Sequence, residues 1–240
     1  MTDSPPDLLT LPLSEVFGPT IQGEGPAAGR SAWFLRLGGC NLACSWCDTA
    51  YTWDASRYDL RREIRHTEVQ EIISSLPMEV LVIVTGGEPL LQQDQASWRE
   101  LLERLRDRGC DLHLETNGTI EPNAVSRALV ELFVVSPKLA NAGSHRGHQQ
   151  AGLHPGWTAV AQDGQAELKV VCTSASDVAE VRQLADQVGW PRRGVWVMPE
   201  GTTQEVLGAR WPVIVDAAAT HGLNATHRLH VLAWNEKRGH

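Results

Sequence analysis

Short apolar runs alternate along the chain with stretches in which apolar residues recur every three or four positions. A continuous run such as residues 80–84 is typical of a strand buried on both faces of a parallel sheet. These runs predict strands at residues 14–17, 31–39, 79–85, 111–116, 132–135, 167–172, 195–198 and 228–234. The helical spacing predicts helices at residues 68–76, 98–105, 122–130, 178–188 and 203–219.

This alternation of strand and helix is the pattern of a parallel α/β fold. Residues able to do chemistry come directly after strands, as at Cys40, Glu88, Glu115 and Ser136. Both α/β barrels and open doubly wound sheets carry their sites at the carboxyl ends of strands, so this placement leaves the two architectures open. The sequence contains neither G-x-G-x-x-G nor a Walker A motif.

The length of 240 residues fits one domain, and we predict a single domain over residues 1–240. Residues 1–12 are predicted to be a flexible leader. Residues 140–164, rich in Gly, His and Gln, are longer than a compact connection and are predicted to be a loop or insertion. We interpret its histidines (His145, His148 and His154) as surface residues in preference to metal ligands.

The net charge of −8 and the absence of a Lys/Arg run argue against nucleic acid as a partner. No signal peptide is visible, and no apolar stretch approaches the roughly 20 residues of a membrane helix. Five cysteines without a secretion signal indicate a reducing compartment. We therefore expect a cytoplasmic protein that does not associate with a membrane.

Three thiols, Cys40, Cys44 and Cys47, lie within eight residues in the spacing C-x-x-x-C-x-x-C. Structural zinc sites use four ligands, and no further Cys or His follows this loop until His66. Iron–sulfur clusters are held by closely spaced thiolates, and three of them leave one iron open to a small molecule. A zinc site completed by a distant Cys or His is the alternative.

Other polar groups have two interpretations when the pattern alone is considered. Gln22 and Glu24 lie in a Gly-rich turn that could bind a planar ligand or simply reverse the chain. Arg36 interrupts an apolar strand, either as the partner of a carboxylate or as a binding group. Asp48 and Thr49 offer hard oxygen ligands of the kind Mg²⁺ prefers, although Asp48 could equally cap a turn.

Five segments together resemble one family: FGPTIQGEG, CSWCDTAYTW, TGGEPLLQ, ETNGT and VSPK, which span residues 17–138. The thiol spacing resembles the radical S-adenosylmethionine (radical SAM) superfamily, and the set resembles its QueE family of 7-carboxy-7-deazaguanine synthases. The resemblance implies a partial (β/α) barrel, a homodimer and an electron donor such as a flavodoxin or ferredoxin. It also implies three cofactors: a [4Fe-4S] cluster, S-adenosylmethionine (SAM) and Mg²⁺.

The resemblance also implies roles for individual residues. Cys40, Cys44 and Cys47 would hold the cluster and Thr49 the Mg²⁺. The implied cofactor-binding residues are Trp46, Asp48, Gly87, Glu88, Glu115, Asn117, Ser136 and Lys138. The implied substrate-binding residues are Ile21, Gln22, Gly23, Glu24, Arg36, Thr85 and His230.

The activity that the resemblance implies is a carbon–nitrogen lyase reaction of deazapurine (queuosine-type) biosynthesis. 6-Carboxy-5,6,7,8-tetrahydropterin would lose a hydrogen to a deoxyadenosyl radical, contract its ring and release ammonia to give 7-carboxy-7-deazaguanine. Another radical SAM enzyme, such as an activase acting on a protein glycine, is one alternative. A zinc or iron–sulfur binding module without turnover is another. Whether the product feeds queuosine in tRNA or a secondary metabolite stays open.

Overall fold

The computed structural model describes residues 9–143, 152–235 and 237–239. Within these ranges one sheet has the strand order β3-β1-β2-β4-β5-β6-β7-β8-β9. Its strands are β1 (Thr10–Ile21), β2 (Ser31–Leu37), β3 (Arg65–Glu68), β4 (Leu81–Gly86), β5 (Asp111–Thr116), β6 (Leu132–Val135), β7 (Ala166–Cys172), β8 (Val195–Pro199) and β9 (Asn224–Ala225). From β2 to β9 all neighbours are parallel, whereas β1 pairs antiparallel with β2 and β3.

The sheet does not close, because its two end strands, β3 and β9, pair with different neighbours and not with each other. Helices connect the parallel strands, as expected for right-handed crossovers. They are α1 (Leu60–Glu63), α2 (Val69–Ser74), α3 (Ala96–Asp107), α4 (Ala124–Leu129), α5 (Trp157–Gln162), α6 (Ala175–Gln187), α7 (Gln204–His221) and α8 (Leu229–Trp234). This open sheet with its helices confirms the predicted partial (β/α) barrel.

Both faces of the central strands are buried. On β4, Val82 and Val84 belong to the main apolar core beneath the helices, while Leu81 and Ile83 belong to a smaller cluster that includes Phe34. Successive side chains of a strand point to opposite faces, so a continuous apolar run satisfies two cores at once. In the described part of the chain, no helix combines the length and apolar character needed to span a membrane.

Two predicted boundaries of irregular segments are corrected by the structure. Strand β1 (Thr10–Ile21) begins inside the predicted leader and continues through Gly18-Pro19, where the prediction ended it. Leu11 is fully buried, which explains why pairing starts so early. Helix α5 (Trp157–Gln162) lies inside the predicted loop 140–164, because Trp157 is fully buried and packs edge-on against Phe133.

The predicted strand at residues 228–234 is wrong, since Leu229–Trp234 form helix α8. An apolar run this short, interrupted by His230, fits either structure, and Val231 is the one buried residue of the helix. His154 has an exposed side chain beside Glu121, consistent with a surface histidine. His145 and His148 lie outside the described residues.

Candidate active site

A cavity of about 460 Å³ opens where the parallel strands end. Its wall contains predicted residues from both the cofactor and the substrate sets. They are Ile21, Gln22, Gly23, Glu24, Arg36, Cys40, Cys44, Trp46, Cys47, Asp48, Thr49, Thr85, Gly87, Glu115, Asn117, Ser136, Lys138 and His230. The fold therefore brings together groups that lie far apart in the sequence, as is typical of the strand ends of an α/β fold. Glu88 is the predicted residue that is not part of this wall.

The thiol loop is held in place by contacts to other parts of the chain. The Ser45 backbone amide donates to the Ala142 carbonyl at 2.9 Å, and the Trp46 indole donates to the Asn141 carbonyl at 3.0 Å. At its start, the Gly39 amide donates to the Thr52 carbonyl at 2.8 Å. These bonds to residues on both sides fix a loop that has no regular secondary structure of its own.

The three loop thiols are unpaired and line the same cavity, with Cys44 buried and Cys40 and Cys47 partly buried. The Leu42 amide points at Cys40 Sγ (3.4 Å), and the Trp53 indole N–H points at Cys47 Sγ (3.3 Å). Such donors stabilise negative charge on sulfur. Burial raises the pKa of the Cys40 thiol to about 12, so formation of the thiolate there depends on binding a cation.

The donor set can be compared with the needs of the cofactor that the resemblance implies. Within the described ranges, no three His, Cys, Asp or Glu side chains converge on a point where they could hold a single metal ion. The three thiols instead surround part of a cavity, with donors aimed at two of their sulfurs. This arrangement fits a cluster that takes three thiolates and leaves one iron accessible from the cavity.

Glu88 points inward, beneath the cavity floor. Its fully buried carboxylate accepts from the Asn117 amide (2.7 Å), the Leu90 amide (3.0 Å) and the Thr116 hydroxyl (2.9 Å). It thereby ties the end of β4 to the end of β5. Burial raises the pKa of Glu88 to about 7, although these hydrogen bonds lower it.

Glu88 should make stability fall with pH. Its ordinary pKa is 4.5 and its folded-state pKa about 7, so between these values the folded state binds more protons than the unfolded state. The free energy of unfolding is therefore expected to drop by on the order of 3 kcal/mol across this range because of Glu88. Urea titrations of the wild type and of Glu88→Gln at pH values from 4.5 to about 7 measure this decrease in the unfolding free energy.

For Glu88→Gln, the unfolding free energy plotted against pH should lack that downward slope, even if the amide shifts the free energy by a constant amount at every pH. The control is Glu100→Gln on the surface of α3, whose curve should follow the wild type at every pH. Parallel curves for wild type and Glu88→Gln would show that Glu88 stays ionised in the folded protein throughout.

A chain of ion pairs lines the same cavity and reaches Asp48, the residue that follows Cys47. Lys169 Nζ lies 2.6 Å from Glu24 Oε2 and 2.9 Å from Glu115 Oε1. Arg228 Nε lies 2.8 Å from the other Glu24 oxygen, and Arg228 also pairs with Asp48. Burial raises the pKa of Glu24, but the charges of Lys169, Arg228 and His230 outweigh it and hold that pKa well below its usual range.

Glu115 makes its contacts with residues that include predicted substrate-binding residues. Besides Lys169, it accepts from the Thr85 hydroxyl at 2.9 Å and from the Gln22 amide at 3.3 Å. Burial raises its pKa, and Lys169 more than compensates, so the net shift is downward. Both Glu115 and Glu24 are therefore ionised at neutral pH, with both residues lining the cavity.

Arg36 is paired with Glu15 at 2.7 Å, and both residues line the cavity. Glu15 also accepts from the Tyr51 hydroxyl (2.8 Å) and from Arg238 (2.9 Å). The guanidinium of Arg36 lies 5.6 Å from the Phe17 ring centroid. Arg36 therefore has a carboxylate partner that it shares with two other donors.

The remaining predicted residues lie beside the thiols or beside Glu24. Lys138 Nζ is 2.8 Å from Ser136 Oγ and 5.5 Å from the centroid of the Trp46 ring. Thr49 Oγ1 is 3.7 Å from Cys47 Sγ. His230, now on helix α8, has its Nε2 3.8 Å from Glu24 Oε1.

Sequence reasoning gave no role to Lys169, Arg228 or Glu15. A signal was present for Lys169, because a lysine inside an otherwise apolar strand needs a buried partner. Arg228 and Glu15 gave no such signal, since each lies in a polar or mixed stretch whose partners come from distant parts of the chain.

Comparison with known proteins agrees with this geometry. The Radical SAM superfamily profile matches residues 35–136. A 7-carboxy-7-deazaguanine synthase of Pyrobaculum aerophilum is 37% identical over 225 residues, which cover 94% of this chain and 95% of the relative. One of Halobacterium salinarum is 35% identical over 246 residues (94% and 91%). The crystal structure of QueE from Escherichia coli superposes with a TM-score of 0.65 at 22% identity, over 91% of this chain and 94% of that one, and supports the fold.

The open (β/α) sheet, the three-thiol loop at its carboxyl edge and the matching profile define a radical SAM protein. A radical SAM protein binds a [4Fe-4S] cluster and SAM. The identity across nearly the full length of the relatives goes further, and the chain belongs to the 7-carboxy-7-deazaguanine synthase family.

Proposed function

We propose that this chain converts 6-carboxy-5,6,7,8-tetrahydropterin to 7-carboxy-7-deazaguanine and releases ammonia, as one domain. The observation that carries the proposal is a single cavity lined both by three thiols and by two carboxylates that are ion-paired with Lys169. The thiols suit a cluster with SAM, and the carboxylates suit a ring that offers several N–H donors. Its relatives carry the name of this activity.

Cys40, Cys44 and Cys47 would hold the cluster, which together with SAM would supply the radical chemistry that removes a hydrogen atom from the substrate. The chain's own residues bind, orient and shield the reactants. Gly87, Asn117, Ser136 and Lys138, with Trp46 and Asp48, line the cavity and are proposed to contact SAM. Glu88 acts beneath the cavity floor by tying the Asn117 amide to the end of β4.

The substrate is proposed to lie against the carboxylates of Glu24 and Glu115. Glu24 and Glu115 present ionised oxygens that accept N–H groups of the pterin ring, with Gln22 and His230 beside them. Ile21, Gly23 and Thr85 also line the cavity. Arg36 suits the substrate carboxylate, because a guanidinium forms paired hydrogen bonds with such a group and Arg36 shares its carboxylate partner with other donors.

Mg²⁺ is proposed to bind at Thr49. Its hydroxyl belongs to the cavity wall beside Cys47, whereas Asp48 is already paired with Arg228. Mg²⁺ commonly keeps several water or substrate ligands and needs few from the protein. The ion would supply a contact to the substrate carboxylate.

The remaining proposals concern partners and location. We propose that the protein acts in the cytoplasm as a homodimer and receives electrons from a flavodoxin or ferredoxin. The five cysteines, all free thiols, agree with a reducing compartment. Exposed apolar side chains on α7 and α8, among them Val213 and Leu232, offer surface for a second copy. Light scattering tests the dimer.

The function is tested by anaerobic reconstitution with iron and sulfide, followed by SAM, dithionite, Mg²⁺ and carboxytetrahydropterin. Mass spectrometry is expected to find both deoxyadenosine and 7-carboxy-7-deazaguanine. Deoxyadenosine without the deazaguanine would mean a radical SAM enzyme with another substrate. Neither product from protein with an intact cluster would mean a binding module without turnover.

A further inference from the structure

Lys169 lies on β7, inside the cavity wall, with only 7% of its side chain exposed. Its ammonium bridges two carboxylates from distant elements, Glu24 after β1 and Glu115 on β5, at 2.6 and 2.9 Å. Its aliphatic stem passes over Gly25, where an added Cβ would lie 3.3 Å from Lys169 Cδ. The lysine therefore occupies a fitted position and does not lie at the surface.

Two carboxylates on one wall repel each other, and one of them tends to take up a proton unless a cation lies between them. Around Glu24 the charged or titratable neighbours are Lys169 on β7, Arg228 and His230 at α8, and the carboxylates Glu115 on β5 and Asp48 after Cys47. Around Glu115, Lys169 is the one cation that makes an ion pair in the described residues. Removing the lysine charge would leave Glu115 with the Thr85 hydroxyl and the Gln22 amide as donors.

We propose that Lys169 is a positioning residue for the substrate: its ammonium holds Glu24 and Glu115 ionised and side by side, so that both accept N–H groups of the substrate ring. The inference rests on the proposed function and deepens its substrate site. Two of the three ammonium donors are directed at these carboxylates. Lys169 acts through them and needs no contact with the reacting atoms.

The test compares Lys169→Met, which removes the charge at similar length, with Lys169→Arg, which keeps it. Loss of one partner from a buried pair weakens the binding it organises, so KM for carboxytetrahydropterin is expected to rise at least about thirtyfold in the methionine variant. We expect kcat to change by less than about threefold. The arginine variant should regain most of the lost affinity.

Iron content, and SAM cleavage by dithionite-reduced protein without pterin, should equal the wild type in both variants, because the thiols are untouched. The matched control is Arg127→Met, which removes a surface ion pair with Asp163 and should change nothing. If Lys169→Met does not fold, Lys169→Gln, which keeps amide donors, takes its place with the same expected KM increase and the same comparison to arginine.

Three results would overturn the inference: an unchanged KM in the charge-free variant, equal loss of SAM cleavage and pterin turnover, or no recovery with arginine in a protein that melts like the wild type. Wild-type turnover of the pterin tests the proposed function separately. If the wild type cleaves SAM but does not convert the pterin, the proposed function is wrong. If the wild type converts the pterin and substitution of Lys169 leaves KM unchanged, only the inference about Lys169 is wrong.

Discussion

Cys44→Ala is expected to abolish cluster binding and, with it, both deoxyadenosine and deazaguanine formation. Cys44 is the most buried of the three loop thiols, and it packs in a small apolar cluster with Leu42 and Ala142. The described residues around the loop contain no other Cys or His that could replace Cys44. The cluster would therefore be left with two protein ligands. Iron and sulfide analysis, followed by product detection, measures the loss.

Cys110→Ala is the matched control, since Cys110 is also buried but lies in the main core just before β5. That variant should lose some stability through the small cavity it creates and keep its cluster, SAM cleavage and turnover. A Cys44→Ala protein with wild-type iron and turnover would contradict the ligand assignment. Equal loss of iron in both variants would point to general destabilisation instead.

The central strands could be predicted from sequence because one physical requirement dominates there. Leu132–Val135 has the predicted bounds, since Phe133, Val134 and Val135 are buried and apolar on both faces of the strand. Asp111–Thr116 also has the predicted bounds, although there Leu112 and Leu114 alternate with Asp111, His113 and Glu115. The same reasoning wrongly predicted a strand at Leu229–Trp234. Only Val231 is buried there, so the segment can meet this requirement as a helix. The reasoning also failed for Trp157–Gln162 because the polar neighbours masked the buried tryptophan that anchors the helix.

Most of the candidate site came from the resemblance and not from periodicity. The motifs indicated which residues meet, but the orientation of their side chains depends on tertiary contacts. Glu88 shows this: it follows a strand end, as a cavity residue would, yet its carboxylate is turned inward by the Thr116 hydroxyl and the Asn117 amide. Lys169 and Arg228 could not be placed without knowing that Glu24 lies between them.

The thiols and the carboxylates that line the cavity differ in what stabilises their charged forms. Burial of Cys40 disfavours the thiolate until a cation is bound. Lys169 and Arg228 instead keep the carboxylates charged through direct ion pairs within the chain. The carboxylates are therefore held charged by the chain's own cations, whereas the Cys40 thiol needs a bound cation to ionise.

Gly87→Ala is expected to disrupt the thiol loop from outside it. An added Cβ at residue 87 would lie 2.0 Å from the Gly39 carbonyl oxygen and 2.9 Å from the Cβ of Cys40. The first contact is with backbone, which cannot rotate away, so Cys40 and its loop must shift. We expect the unfolding free energy to fall by about 3 kcal/mol and the bound iron to fall well below that of the wild type.

Gly208→Ala is the control for Gly87→Ala, because Gly208 is exposed on α7 and an added Cβ there meets no atom within 4 Å. Alanine favours a helix over glycine, so this variant should gain about 0.5–1 kcal/mol and keep its iron. Urea unfolding of the apoprotein separates the steric effect from cofactor loss, since the collision with the Gly39 carbonyl exists without any cluster. A Gly87→Ala apoprotein as stable as the wild type, with full iron after reconstitution, would mean that the β4 end and the thiol loop can move apart at little cost.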